Sequence, residues 1–468
     1  MSVRLFEDEF YHKEERCGFV VSEVMKHCWA ADMLILEELK AICAGHGLKF
    51  FAAYGTLLGA IRHGGYIPWD DDIDIGMVRD DYIALTELLE NSDKYNILNP
   101  YTRSWYDMNF SHVTNNNDIC FKREYLKKWE GCPFLTGPDI YPYYYIPRDP
   151  AEEAYILALL ERIDNAISLS KQSDALKERS GSFNAGNSIN ERLAMSLVEL
   201  EKETGYTFNT DRPVQNQLEI LYDQVCRITV REDADYLARY DEYTKDRSKK
   251  FPREYLENVI EVPFEHISIP VPAGYAAVLN ARFGNSYLTP SVERGAHDYP
   301  YYRKQMGSIG NKLEQAILEA YSDKRIKKEY VPEGGDKRSL IYYTSVRDMI
   351  INSGRAIEKI TEMLDSFGKI KDRYRIYWIQ GEFPANEDLA FDEMMPDMMD
   401  EYEKLKEKAE AVAVSVYGES DLIDKIAEDA EIFIGDVSLI SEEFEKKQKK
   451  VFIQDYDAGE DPLFERLS

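Results

Sequence analysis

Asp72 and Asp74 stand two residues apart in the stretch Tyr54–Met77, which reads YGTLLGAIRHGGYIPWDDDIDIGM. On an extended strand that spacing sends both carboxylates to one face. Two aligned carboxylates can hold Mg²⁺ or Mn²⁺, cations that prefer oxygen ligands and keep coordination positions open for phosphate oxygens. Asp70 and Asp71 crowd the same end, and so many acids repel one another unless a cation or solvent screens them. Upstream, Gly55 and Thr56 make a turn into a helix, offering backbone N–H groups and a hydroxyl to a phosphate. Arg62 and His63 follow within two turns, and an arginine suits a bidentate phosphate grip. A two-metal clamp wants a third acid, and Asp139, at the head of a tyrosine-rich strand, is the best candidate. The chemistry assembled in this way is metal-dependent phosphotransfer. Asp72, Asp74 and Asp139 are its expected catalytic metal ligands, with Gly55, Thr56, Arg62 and His63 on the donor phosphate. Taken singly, a D-D-D-I-D run is usually a solvated edge and a lone arginine a surface residue, so the order of the pieces along the chain carries the reading.

Those residues need elements to hold them. The spacing of Val24, Cys28, Leu34, Leu39 and Ile42 predicts an amphipathic helix over Val21–Ala44, ended by Gly45 and Gly47. Leu48–Ala53 is a short apolar strand, Tyr54–Ile61 a turn into a helix, and Asp72–Val78 alternates like a strand. Asn109–Thr114 and Ile119–Arg123 are expected to pair around the turn 115–117. Asp139–Ile146 is a further strand. The pattern from Pro150 to Arg231 is mainly helical, broken by a polar stretch over Glu178–Ser188. The fold class implied is α/β: a mixed sheet with helices and a helical insertion at about 150–231, spanning residues 1–330. A charged Pro/Gly segment at 331–337 reads as a linker. Beyond it, in 338–468, the strands Ser339–Thr344, Arg375–Ile379, Ala411–Val416, Ile432–Gly435 and Lys450–Ile453 alternate with helices, which predicts a parallel, Rossmann-like domain.

The long run Gly55–Ile75, G-T-L-L-G-A-I-R-H-G-G-Y-I-P-W-D-D-D-I-D-I, resembles the signature of the LicD family, related to the fukutin group. Phe251–Tyr287 continues the resemblance through F-P-R-E-Y, I-P-V-P-A-G-Y and L-N-A-R-F-G-N-S-Y. The resemblance implies a nucleotidyltransferase-like fold. It also implies transfer of a phospho-alcohol, phosphocholine or a polyol phosphate, from a CDP-linked donor to a glycan such as a teichoic-acid precursor. Matched by position, the phosphate turn is Gly55-Thr56, the D-x-D pair is Asp72 and Asp74, and Asp139 (in P-D-I-Y-P, where the family has I-D-I-F-P) is the third acid. His297 and Arg303 fall where the family carries a basic, His-containing tail, although a surface role is at least as common for such residues. A choline donor asks for an aromatic cage, for which Trp69, Tyr66, Trp105 and Tyr143 are at hand; ribitol or glycerol asks for hydroxyl partners. The segment after Ser339 weakly resembles the C-terminal half of GT-B-type enzymes that use CDP-glycerol. It places Asp436 and Ser438 at a D-x-S turn, with binding of ligand and simple docking both open.

Composition narrows the class. The formal charge is −29, from 57 Lys+Arg against 86 Asp+Glu, a field that repels nucleic-acid backbones and anionic lipid but not a nucleotide held through metal ions. Six cysteines without a C-x-x-C pair read as reduced thiols. Met1–Phe10 lacks a signal-like apolar core and no stretch approaches membrane-span length, so a cytoplasmic protein is expected. A homo-oligomer is compatible with these features. Nucleotidyl transfer to a protein or small molecule, glycosyl transfer from a sugar nucleotide, and a non-catalytic scaffold remain as rivals.

Overall fold

The computed structural model describes residues 6–456 apart from 93, 181–186, 291–298, 321–336, 382 and 417–419. Contacts divide the chain into two compact units, Asp32–Asn117 with Leu135–Glu293, and Met1–Ala31 with Asp118–Phe134 and Arg294–Ser468. Composition suggests a single change-over at 331–337; of that stretch only Lys337 lies among the described residues.

The unit that holds the aspartate run is built on a mixed sheet, ordered Phe51–Ala52, Asp74–Val78, Asp139–Pro147, Ser111–Thr114, Asn96–Leu98. Asp74–Val78 runs parallel to Asp139–Pro147 and the other pairs are antiparallel. All of Asp74–Val78 is buried, as its I-G-M-V run requires. Gly76 is a glycine for a steric reason: the rings of Phe51 and Tyr143 close over it, and a Cβ would collide with both. The second half of Asp139–Pro147 pairs with Ala234–Ala238, which pairs with Lys250–Pro252. Between them the chain leaves the sheet as the helices Pro150–Ser180, Asn187–Thr204 and Val214–Cys226. Ile156, Leu159, Leu160 and Ile163 recur at helical spacing and bury against Leu218, Leu221, Val225, Tyr144 and Tyr240. The expected polar break at Glu178–Ser188 falls mostly outside the described residues.

One expected pairing is replaced. Ser111–Thr114 pairs with Asn96–Leu98 and Asp139–Pro147, while Arg123 opens a helix, Arg123–Lys128, rather than ending a strand. Asn96–Leu98 has three residues, too few for a period of two to show.

The other unit carries a fully parallel sheet, ordered Val414–Val416, Tyr374–Ile379, Arg338–Tyr343, Ile432–Gly435, Lys450–Ile453. The chain fills one side of the central strand Arg338–Tyr343 first and then the other, the doubly wound arrangement. Ile341, Tyr377, Ile379, Phe433 and Phe444 form its core. Residues from the N-terminal part of the chain belong here too. Glu23 accepts the backbone N–H groups of Asp397 (3.0 Å) and Met398 (3.2 Å), and Arg123 pairs with Asp392 and Glu393. The molecule is thus of the α/β class, with a mixed sheet in one unit and a parallel sheet in the other. All six cysteines are free thiols.

Candidate functional site

Strand register assembles the site. Asp74 lies opposite Asp139 in the parallel ladder, and Asp139 lies opposite His112 in the antiparallel one. Paired residues share a face, so three neighbouring strands contribute Asp74, Asp139 and His112 to one rung. His112 Nδ1 lies 2.6 Å from Asp139 Oδ1, and the Tyr141 hydroxyl donates to Asp139 Oδ2 at 3.4 Å. Burial works against a charge on His112, but the charge and hydrogen bond of Asp139, with Asp32 behind, outweigh it and raise the pKa. Burial, then the charges of Asp74 and Asp139, push the Tyr141 hydroxyl far up, so it remains a protonated donor.

Asp72 precedes the strand rather than lying within it. Among the described residues, the group of three acids whose oxygens all lie within 4.8 Å of one another is Asp70, Asp71 and Asp72. Burial raises the pKa of Asp72 well above the carboxylate range, and the charges of Asp74, Asp70, Asp71 and Asp139 raise it further. The expected set of Asp72, Asp74 and Asp139 is therefore gathered around one locality, with Asp70 and Asp71 added to it. The donors are all carboxylate oxygens and their mutual repulsion calls for a cation, so the residues fit a hard divalent ion.

The turn is locked onto this locality. Ala53 N–H bonds to Asp74 O at 2.9 Å, and Tyr54 takes a left-handed backbone (φ 45°) before the helix Tyr54–Arg62. Gly55 lies directly against the Asp70 carboxylate, and a Cβ there would displace it. Thr56 is buried and its hydroxyl accepts the Asp74 N–H at 2.8 Å, so it ties the turn to the D-x-D strand. Arg62 donates from Nη1 to Tyr287 O (3.1 Å) and from Nε to His63 Nδ1 (3.3 Å), and His63 meets Trp69 edge-on at 6.2 Å.

Of the other expected residues, His297 lies outside the described residues. Arg303 is exposed on the helix Tyr302–Ala320 of the other unit. Asp436 is buried in that unit, where Oδ2 accepts the Ser345 N–H (2.7 Å) and Oδ1 the Tyr456 hydroxyl (3.0 Å). Ser438 caps the helix Leu439–Lys446 in a reciprocal box with Ser441. Tyr66 and Tyr143 are buried, whereas Trp105 is 65% exposed.

The sequence reading missed His112, Tyr141 and a pair of arginines. Arg239 is 4% exposed, bonded through Nε and Nη2 to Asp241 (3.0 and 2.7 Å) and through Nη2 to Asn109 (3.0 Å). Its guanidinium lies 4.5 Å from the centre of the Tyr141 ring. Arg282 bonds Glu242 at 2.5 Å and lies 3.8 Å over the Tyr54 ring, which itself meets Tyr141 at 4.7 Å. Arg282 stands in the L-N-A-R-F-G stretch already singled out; nothing in the sequence points to Arg239.

Residues 47–147 match the LicD/FKTN/FKRP nucleotidyltransferase domain. The chain is 25% identical over 262 residues to the lipopolysaccharide cholinephosphotransferase LicD of Haemophilus influenzae, which covers 55% of this chain and 89% of that protein. It is also 34% identical over 71 residues to an uncharacterized protein of Rickettsia prowazekii, covering 15% of this chain and 27% of that protein. Over 55 residues it is 38% identical to an uncharacterized protein of Rickettsia typhi, covering 12% of this chain and 18% of that protein. The matched domain contains the Gly55-Thr56 turn, the aspartate run, His112 and Asp139, so the candidate site lies within the part of the chain that is similar to the LicD/FKTN/FKRP nucleotidyltransferase domain.

Proposed function

We propose that the chain transfers a phospho-alcohol from a CDP-linked donor to a glycan hydroxyl and releases CMP. The observation that carries this reading is the rung Asp74–Asp139–His112 set against Asp70–Asp72 inside the LicD-family domain. The resemblance to a protein named as a cholinephosphotransferase supports the donor class. Asp72, Asp74 and Asp139 would hold Mg²⁺ or Mn²⁺, which supplies charge neutralisation for the donor diphosphate. The backbone N–H groups at the Gly55-Thr56 turn face the same phosphates at a helix N-terminus. Asp139 is fixed by His112 at Oδ1 and by the Tyr141 hydroxyl at Oδ2, and its two open roles are metal ligand alone or base for the proton of the acceptor hydroxyl. The acceptor oxygen forms its bond to the donor phosphorus as the bond to the CMP oxygen breaks.

No described helix is long and apolar enough to cross a membrane. We place the protein in the cytoplasm, acting on an envelope-glycan precursor. The test is release of CMP from CDP-choline, CDP-glycerol and CDP-ribitol by the purified protein, with Mg²⁺ and with EDTA. Metal-dependent CMP supports the reading. Pyrophosphate released from a nucleoside triphosphate replaces it with nucleotidyl transfer, and turnover of sugar nucleotides alone replaces it with glycosyl transfer.

A further inference from the structure

The wall beside the acid rung is aromatic, yet its rings are already engaged. Arg282 lies over Tyr54 and Arg239 over Tyr141, with Phe110 tilted against Tyr141 at 4.7 Å. A quaternary ammonium is held by open ring faces, whose negative quadrupole a guanidinium consumes while adding a positive charge of its own. The arginines are fixed in place by Asp241, Asn109 and Glu242. What the wall offers a ligand is hydroxyl and N–H chemistry. The Tyr141 hydroxyl points at Asp139, and Arg239 Nη1 is a buried donor without a hydrogen-bond partner. The four other aromatic side chains suited by type to a cage are engaged as well: Tyr66 packs on Phe264, Tyr143 meets Phe51, Trp69 meets His63 and Trp105 meets Tyr106.

We infer that Arg239 and Arg282 are specificity-determining residues that turn the site away from a cationic alcohol and toward an uncharged polyol, so that the donor carries a glycerol- or ribitol-type phosphate rather than phosphocholine. This rests on the phospho-alcohol reading above and names the substrate class within it. Similarity at 25% identity to a cholinephosphotransferase leaves room for the wall to differ.

The test is calorimetric titration of the full chain, with Mg²⁺ present, by CDP-glycerol and by CDP-choline. CDP-glycerol is expected to bind at least about tenfold tighter. Arg282→Gln, whose side chain keeps a polar group beside Glu242, should narrow that gap to about threefold or less. Arg239→Lys keeps the charge and should preserve the preference; it guards against a folding defect being read as lost specificity. Equal or tighter binding of CDP-choline by the wild-type chain overturns the inference and leaves phosphotransfer standing. An unchanged ratio in Arg282→Gln also overturns it. If neither CDP-alcohol binds, the phospho-alcohol reading fails and this inference falls with it.

Discussion

Asp72 and Asp436 both have carboxyl groups whose pKa is raised by burial, but the protein treats them differently. Asp436 is answered by the chain itself, through the Ser345 N–H and the Tyr456 hydroxyl, and Asp348 is the acid that raises it. Asp72 faces Asp74, Asp70, Asp71 and Asp139. A buried acid supplied with donors holds two strands' ends together. A group of acids turned on one another stores repulsion that a cation relieves. Chemistry is therefore expected in the mixed-sheet unit, and a structural role for Asp436 in the parallel one.

The largest expected effect breaks this comparison if it fails. Asp74→Asn and Asp139→Asn should each lower CMP release by at least about 10²-fold while leaving circular dichroism unchanged. Asp436→Asn should keep the rate within about twofold of wild type. Equal losses in all three would erase the distinction between the two acids.

The next effect concerns stability. Mg²⁺ at about 100 times its Kd should stabilise the wild-type chain by roughly 2.7 kcal/mol through mass action. Asp72→Asn should lose most of that gain and melt higher than wild type in metal-free buffer at neutral pH, because a group that must take up a proton to be buried among other acids has been removed. A variant that melts lower without metal would show that Asp72 is held by donors after all.

The parallel-sheet unit should have its own pH signature. Burial, then Asp348, raise Asp436 from 3.8 to about 7, and burial raises Glu23 from 4.5 to about 7 against the pull of the Asp397 and Met398 N–H groups. Both are acids whose folded pKa lies above the unfolded value, so the folded state holds more protons. Their contribution is greatest below about pH 4 and is lost as pH rises to about 7. Each proton held only by the folded state makes stability fall by roughly 1.4 kcal/mol as the pH climbs by one. Denaturant midpoints across that window should fall for wild type and fall less steeply in Asp436→Asn, where only Glu23 still takes up its proton. The smallest effect is Thr56→Val, which removes the acceptor for the Asp74 N–H and should cost about 1–2 kcal/mol by chemical denaturation.

How much of this was legible follows from what each signal depends on. Ile432–Gly435 and Lys450–Ile453 match their expected bounds, since apolar runs between polar segments declare buried parallel strands. Leu48–Ala53 shortens to Phe51–Ala52, because an apolar residue buries as well in coil as in a ladder. The aspartates could be named because acid spacing is local. His112 could not, since its role comes from lying opposite Asp139, and register is decided by a partner strand that the expected pairing had misplaced. Arg239 is farther still from any local signal: only the return of Ala234–Ala238 to Asp139–Pro147 brings it over Tyr141.

That return has a mechanical meaning. Asp139–Pro147 is a single nine-residue strand, gripped at its head by Asp74–Val78 and Ser111–Thr114 and at its tail by Ala234–Ala238, with a register shift at Ile146/Pro147. The three insertion helices bolt onto the tail through Tyr144 and Ile146. The insertion helices and the acid rung are therefore carried on one and the same strand.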